Sequence, residues 1–112
     1  MAADAGRFTG IPELLVLRLL CDREMYGYEI VQAIALRTGQ VFEPGEGLIY
    51  PLLRGLEIDG VLKSRRKSVN GRSRVYYSLT GKGEKHLKAL TDHWSKLHGA
   101  VDAVLTGGSY AV

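Results

Sequence analysis

Apolar residues in the first half of the chain recur at helical spacing, in segments separated by glycine or short polar stretches. Residues 13–22 are apolar on nearly every side, which is typical of a buried helix. Residues 26–38 predict a second helix, with Gly39 as its C-terminal stop. A third helix is predicted over residues 47–59, because Pro51 is tolerated only in or near a first turn. Its core stripe at positions i, i+3, i+4 and i+7 consists of Ile49, Leu52, Leu53 and Leu56.

A β-hairpin is predicted next, from two strand-like runs at residues 62–69 and 72–79. The Asn-Gly dipeptide between them is the strongest short signal for a two-residue type I′ turn. This turn fixes the register, so that Lys67 faces Arg74. Because side chains alternate along a strand, six residues are expected on the outer face of the hairpin. They are Lys63, Arg65, Lys67, Arg72, Arg74 and Tyr76.

The last predicted helix covers residues 81–106, with Thr80 as its N-cap. At about 38 Å, it is more than twice as long as the roughly 13 Å radius of such a domain. Its apolar residues recur at spacings of 3 and 4, which is a heptad seam. Soluble proteins rarely leave such a seam bare, so we predict a two-fold dimer through this helix. The seam consists of Leu87, Leu90, Trp94, Leu97, Val101 and Val104.

Three short helices followed by a hairpin predict a winged helix-turn-helix, in which the third helix reads DNA and the hairpin is the wing. The expected fold class is therefore α+β and mostly helical, with a long C-terminal dimerisation helix. We predict a flexible tail at 1–10, the DNA-binding domain at 11–80, the dimerisation helix at 81–106 and a second tail at 107–112.

The charge of the chain is strongly segregated. The net charge is +3 over 112 residues, but residues 60–83 hold seven Lys or Arg and no Asp or Glu. The remainder holds 8 basic and 12 acidic residues, a net charge of −4. A basic block on a slightly acidic body is typical of a polyanion-binding surface. The alternative is a solvated sheet edge that lysines protect from aggregation.

Several classes of protein are excluded by composition. The single cysteine, Cys21, rules out an internal disulfide and a Cys-based zinc site, and it is expected to pack as a small hydrophobe. No apolar run approaches the length of a membrane span, and no secretory signal is visible. We therefore expect a soluble cytoplasmic protein without membrane contact.

No set of side chains suggests catalysis or metal binding. The three histidines, His86, His93 and His98, all lie on the last helix. His86 and His93 would stand about 10 Å apart along its axis, too far to chelate one ion, and are interpreted as solvated. We expect neither an enzyme nor a cofactor.

The wing offers the clearest physical argument for DNA binding. Lys67 opposite Arg74 is a like-charge pair that destabilises a hairpin, whereas a phosphate between them would remove the repulsion. Arg65 opposite Tyr76 is interpreted as a cation–π pair or as simple surface packing. We predict that Lys67, Arg72 and Arg74 contact phosphates or the minor groove, the alternative being a solvated surface.

Two tyrosines extend the candidate interface. Tyr50 and Arg54 are four residues apart, off the core stripe of the third helix, and are predicted to face DNA. Tyr28 stands at the start of the second helix, where it either contacts a phosphate or serves helix entry and capping.

Three sequence motifs of this chain resemble those of the PadR family of bacterial transcriptional regulators. The resemblance rests on Tyr26–Ile30, Gly47–Leu53 and Leu79–Gly83 and covers about residues 12–106. It implies the short subgroup of the family: homodimeric repressors that bind palindromic operators in double-stranded DNA and respond to small aromatic effectors. The family commonly has Ser or Thr where this chain has Leu48. The full set of candidate DNA-binding residues is Tyr28, Leu48, Tyr50, Pro51, Arg54, Lys63, Arg65, Lys67, Arg72, Arg74 and Tyr76.

Trp94 is the candidate effector-binding residue. Two indoles that meet across a dimer axis leave a slot for planar aromatics, and the alternative is that Trp94 only fills the seam. Rival functions are a winged-helix module that binds proteins rather than DNA, and a metal sensor of related fold. The basic block favours DNA over the first, and the single cysteine argues against the second.

Overall fold

A computed structural model describes residues 10–107 as four helices and one three-stranded antiparallel sheet. The predicted tails lie outside this range except for Gly10 and Gly107. In chain order the elements are α1 (Ile11–Asp22), β1 (Met25–Tyr26), α2 (Gly27–Arg37), α3 (Glu46–Ile58), β2 (Leu62–Val69), β3 (Arg72–Leu79) and α4 (Gly81–Leu105). The fold is the predicted winged helix-turn-helix with a long C-terminal helix.

The hairpin has the predicted register. Lys67 pairs with Arg74 and Arg65 with Tyr76 across β2 and β3. Asn70 and Gly71 have φ values of 54° and 77°, the left-handed conformation that a type I′ turn requires at both positions. The wing is therefore a regular two-stranded ribbon with its tip at residues 70–71.

The strand β1 was missed by the sequence analysis, which placed residue 26 in the second helix. Met25 pairs with Tyr77, and Tyr26 pairs with Tyr76, so the sheet order is β1-β3-β2. Two residues are too few to show an alternating pattern, and so nothing in the sequence marked them as a strand. The strand attaches the loop after α1 to β3, the central strand of the sheet.

The core lies between α1, α2, α3 and one face of the sheet. The predicted stripe of α3 is buried at Ile49, Leu53 and Leu56, whereas Leu52 is only partly buried. Cys21 is exposed, so the prediction that it packs at the end of α1 is wrong. The reason is that α1 buries only one side, through Val16, Leu17, Leu19 and Leu20.

The start of α4 is fixed to the domain. The Thr80 hydroxyl accepts a hydrogen bond from the Gly83 N–H at 3.0 Å, as predicted for an N-cap. The Thr80 hydroxyl also approaches the Gly60 carbonyl at 2.6 Å, as a donor to it. His86 contacts the carboxylate of Glu13 on α1, so the interpretation of this histidine as solvated is wrong. These contacts join the start of α4 to the segment between α3 and β2 and to α1.

The seam of α4 divides into two parts. Leu87 is 8% exposed, and Leu90 packs against the core. From residue 98 to residue 107 every side chain is exposed, including Val101 and Val104. Gly99 does not end the helix, which continues to Leu105. The helix thus docks with its first turns and leaves its last turns uncovered by its own domain.

Candidate nucleic-acid interface

The helix α3 presents a solvent-facing surface opposite its buried stripe. Leu48 is 50% exposed and Tyr50 is 39% exposed, and Pro51 and Arg54 are exposed as well. Pro51 is the sixth residue of α3 and lacks the N–H that would bond one turn back. All four candidate residues of this helix are therefore accessible to a ligand.

Tyr50 is held in place by the start of α2. The backbone of Gly27 lies so close to the Tyr50 ring that a Cβ at residue 27 would be 2.2 Å from Tyr50 Cε1. Burial, and secondarily the nearby Glu46 carboxylate, raises the pKa of the Tyr50 phenol above its ordinary value. The phenol is therefore protonated at neutral pH and can donate a hydrogen bond.

A cleft of about 330 Å³ opens where α2, α3 and β3 meet. It brings aromatic rings and guanidinium groups together, so it combines stacking surfaces with positive charge. Its lining residues are Tyr26, Gly27, Tyr28, Tyr50, Arg54, Arg74, Val75 and Tyr77. Four predicted contacts from three different elements, Tyr28, Tyr50, Arg54 and Arg74, thus share one concave surface.

The α2 N-terminus is capped within the chain. The Tyr26 N–H donates to Glu29 Oε1 at 3.1 Å. Tyr28, the second residue of α2, is 46% exposed and directs no polar atom into this cap. Glu29, not Tyr28, therefore caps this helix. The exposure of Tyr28 in the cleft is consistent with its other interpretation, a phosphate contact.

The outer face of the wing holds an anion that the sequence analysis did not foresee. Glu24 Oε1 accepts from Arg65 Nε at 3.0 Å, and Oε2 accepts from the Arg65 guanidinium at 2.6 Å. Lys67 Nζ donates to the same Oε2 at 3.1 Å. These hydrogen bonds, first that from Arg65 and then that from Lys67, lower the pKa of Glu24 from 4.5 to about 2. We call Glu24, Arg65 and Lys67 the Glu24 clamp.

Two tyrosines complete this outer face. Tyr76 is only 8% exposed, and its ring meets that of Tyr26 edge-on at 5.4 Å. Lys67 Nζ lies 4.7 Å from the centre of the Tyr76 ring, and the Arg74 guanidinium lies 4.2 Å from the centre of the Tyr26 ring. Each of the two opposed cations thus has an aromatic partner.

Three details of the predicted wing are wrong. The repulsion between Lys67 and Arg74 is relieved by Glu24 and the tyrosine rings within the chain, so it needs no phosphate. The cation over Tyr76 is Lys67, and Arg65 is bonded to Glu24 instead. Tyr76 is on the outer face as expected, but β1 and Lys67 cover it, so it is not an exposed contact.

The remaining cations of the basic block concentrate the free positive charge near the edge and tip of the wing. Lys63 and Arg72 are exposed, and within residues 10–107 neither has an ion-pair partner. Lys82 donates to the Asp59 carbonyl at 2.6 Å, and Arg66 is 3.4 Å from the Ser73 hydroxyl. Of the predicted wing contacts, Lys63 and Arg72 are the ones most available to a phosphate.

The seam residue Trp94 is partly buried on α4. Its ring centre is 5.5 Å from that of His98, in a tilted arrangement. Leu97 beside it is also partly buried. Within the described range, no group of three His, Cys, Asp or Glu could hold a metal ion, and no helix is long and apolar enough to cross a membrane.

Comparison with known proteins identifies the family. The model of the transcriptional regulator PadR-like family matches residues 16–89, from α1 through the wing into α4. The chain belongs to the PadR-like family. Members of this family are transcriptional regulators rather than enzymes, as the sequence analysis expected.

Several proteins are similar to this PadR-like chain over most of its length. Transcriptional regulator Rv3488 of Mycobacterium tuberculosis is 35% identical over 97 residues, which are 87% of this chain and 85% of the relative. The structure of smu.1704 from Streptococcus mutans is 35% identical, with a TM-score of 0.80 over 91% of this chain and 92% of that one. Bacillus subtilis PadR, solved in complex with operator DNA, is 26% identical with a TM-score of 0.66, over 72% of this chain and 45% of that one.

Proposed function

We propose that this PadR-like protein is a homodimeric, sequence-specific DNA-binding repressor. Its α3 helix reads base edges in the major groove with Leu48, Tyr50, Pro51 and Arg54, and its wing contacts the backbone. The observation that carries the proposal is the shared cleft, in which Tyr50 and Arg54 of α3 stand beside Arg74 of the wing. A helix and a basic ribbon that face the same way fit a groove and its flanking phosphates together.

The similarity to Bacillus subtilis PadR supports this proposal, because that protein was solved in complex with operator DNA. Its matched region corresponds to 72% of this chain. In the proposed complex Lys63, Arg72 and Arg74 supply phosphate contacts, and Tyr28 adds one from α2. Arg65 and Lys67 also face the DNA, but in the free protein both are bonded to Glu24.

The proposed dimer forms through the seam of α4, with α1 as a second contributor. Val101 is 44% exposed and Val104 is 77% exposed in the single chain, an apolar stripe that a second copy would cover. Two-fold symmetry places two α3 helices on one face of the DNA, about one helical turn or 10 bp apart. The expected operator is therefore palindromic.

Release from DNA is proposed to follow binding of a small aromatic effector at Trp94. In the dimer, Trp94 and its symmetry mate flank the axis, where a planar ligand stacks between them and changes the angle between subunits. The seam-filling role of Trp94 remains the alternative. Saturable quenching of Trp94 fluorescence by planar aromatics distinguishes the two, because a purely structural tryptophan gives none.

Electrophoretic mobility shift with the DNA upstream of the protein's own gene tests the proposal. Arg54→Ala is expected to weaken binding to this DNA by about 1–3 kcal/mol, as for the loss of one specific base contact. It should leave the weaker binding to random DNA nearly unchanged. Lys88→Ala is the matched control, since Lys88 is an exposed cation on α4 outside the seam. Equal effects of both variants, or no binding by the wild type, would contradict the proposal.

A further inference from the structure

The Glu24 clamp places a fixed negative charge on the surface that is proposed to meet DNA. Two of the seven cations in the basic block, Arg65 and Lys67, bond to this one carboxylate. No comparable anion lies against Lys63 or Arg72 in the described part of the chain. The clamp therefore engages two of the four cations of β2, whereas Lys63 and Arg66 have no ion-pair partner among the described residues.

We propose that Glu24 is an affinity-tuning residue, which competes with DNA phosphates for Arg65 and Lys67, lowers affinity for DNA of any sequence and thereby makes stable binding require base contacts as well. The inference rests on the proposed function. A phosphate and a carboxylate offer Arg the same bidentate geometry, so the two anions are direct competitors. A phosphate can bond either cation only when Glu24 releases it or shares it.

The position of Glu24 makes the competition effective. Glu24 immediately precedes β1, whose pairing of Met25 with Tyr77 holds the backbone at the sheet edge. Its side chain is 25% exposed, whereas that of Arg65 is 64% exposed. The anion is thus preorganised on the protein, while the guanidinium remains accessible to solvent and to an incoming phosphate. The tyrosine under Lys67 further fixes this ammonium beside the carboxylate.

The Glu24 clamp weakens contacts with phosphates, not contacts with base edges. Phosphate contacts supply nearly all binding to nonspecific DNA, whereas base contacts supply discrimination. Glu24 leaves Tyr50 and Arg54 untouched, since neither is bonded to it. An anion that suppresses phosphate contacts therefore makes stable binding depend on the base contacts of α3, because nonspecific DNA offers no other contacts.

The test is Glu24→Gln, which removes the charge and keeps the shape. Binding to a random-sequence duplex is measured by fluorescence anisotropy at several salt concentrations. Each cation that gains a phosphate steepens the slope of log K against log salt by about 0.9, so four released cations in a dimer add up to about 3.6. We expect a rise of about tenfold in nonspecific affinity at low salt, and a rise by a similar factor for the operator, because the same cations face phosphates in both complexes.

Two controls separate local competition from a general change of charge. Asp92→Asn alters the net charge equally on an exposed part of α4, and should change the slope by less than one contact. In an Arg65→Gln, Lys67→Gln background, Glu24→Gln should give no further gain, because the cations that it releases are gone. Glu24→Asp, which keeps the charge, should behave more like the wild type than Glu24→Gln does. Circular dichroism spectra establish that each variant is folded.

Three results would overturn the inference. Unchanged affinity and slope in folded Glu24→Gln would show that the clamp does not compete with DNA. An equal gain in the background without Arg65 and Lys67 would show that Glu24 acts only through net charge. In either of these two cases, DNA binding by the wild type leaves the proposed function standing without this inference. If no variant binds any DNA, both fall together.

Discussion

At the residue scale, the site depends on a missing side chain as much as on those present. A Cβ at residue 27 would strike the Tyr50 ring, whereas a Cβ at Gly47 or Gly55 would meet open space. The hydrogen at residue 27 allows the Tyr50 ring to lie against the first turn of α2 and to form one wall of the cleft. The orientation of a proposed DNA contact is thus set by a residue on another helix.

Gly27→Ala is therefore expected to displace the Tyr50 ring. A Cβ 2.2 Å from Tyr50 Cε1 cannot be accommodated without movement, although the neighbour is a side chain that can swing away. Overpacking of this kind costs about 1–3 kcal/mol, partly offset by the better helix propensity of alanine. We expect a small loss of stability in thermal unfolding and a clear loss of operator affinity in the mobility shift.

Gly55→Ala is the matched control for this prediction. Gly55 lies on α3 itself, and no atom would be within 4 Å of a Cβ there. Alanine should stabilise the helix by up to about 1 kcal/mol and leave the Tyr50 ring in place. A Gly27→Ala variant that binds the operator as tightly as Gly55→Ala would show that the placement of Tyr50 is not important for recognition.

At the scale of elements, pattern and turn chemistry predicted most of the fold. Residues close together in the sequence determine the heptad spacing of α4, the stripe of α3 and the Asn-Gly turn. The bounds of these helices and the register of the hairpin could therefore be inferred from the sequence. Glu24 and β1 could not, because their meaning depends on which distant strand lies beside them. A carboxylate 41 residues before its arginine leaves no local signal. The sequence thus indicated a basic wing, but not that Glu24 bonds two of its cations.

The contact between the wing and the start of α4 depends on a glycine, Gly83. A Cβ at Gly83 would lie 2.2 Å from the Val61 carbonyl oxygen and 2.9 Å from Leu79 Cδ2. The carbonyl is backbone and already accepts from the Thr80 N–H at 3.1 Å, so it cannot move without breaking that hydrogen bond. The first turn of α4 therefore has its position fixed against the strand.

Gly83→Ala is expected to destabilise the fold by about 1–3 kcal/mol, measured by urea unfolding. Gly81→Ala, two residues earlier in the same turn, should cost nothing of this kind, because no atom would be within 4 Å of its Cβ. If the two variants unfold at the same urea concentration, the close contact at Val61 does not constrain the junction.

At the scale of the whole molecule, α4 extends a compact domain into an elongated chain. The principal extents are 64 × 29 × 25 Å, and the length comes from a helix of 25 residues that docks only through its first part. Leu87 and Leu90 serve the domain core, whereas the later seam residues lie beyond it. One heptad pattern therefore includes a part that packs on the domain and a part that is exposed in the single chain, which the repeat alone does not distinguish.

This division selects the variant that tests the proposed dimer. Val101→Lys places a charge in the exposed part of the seam without disturbing the core, whereas a lysine at Leu90 would do both. Two buried lysines facing each other across a two-fold axis oppose association through desolvation and like-charge repulsion. We expect light scattering to show a dimer for the wild type and a monomer for the folded variant, with operator binding lost in parallel. Ala103→Lys, exposed and off the seam, should remain dimeric. A wild type that is monomeric at micromolar concentration, or a Val101→Lys variant that stays dimeric, would exclude α4 as the dimer interface.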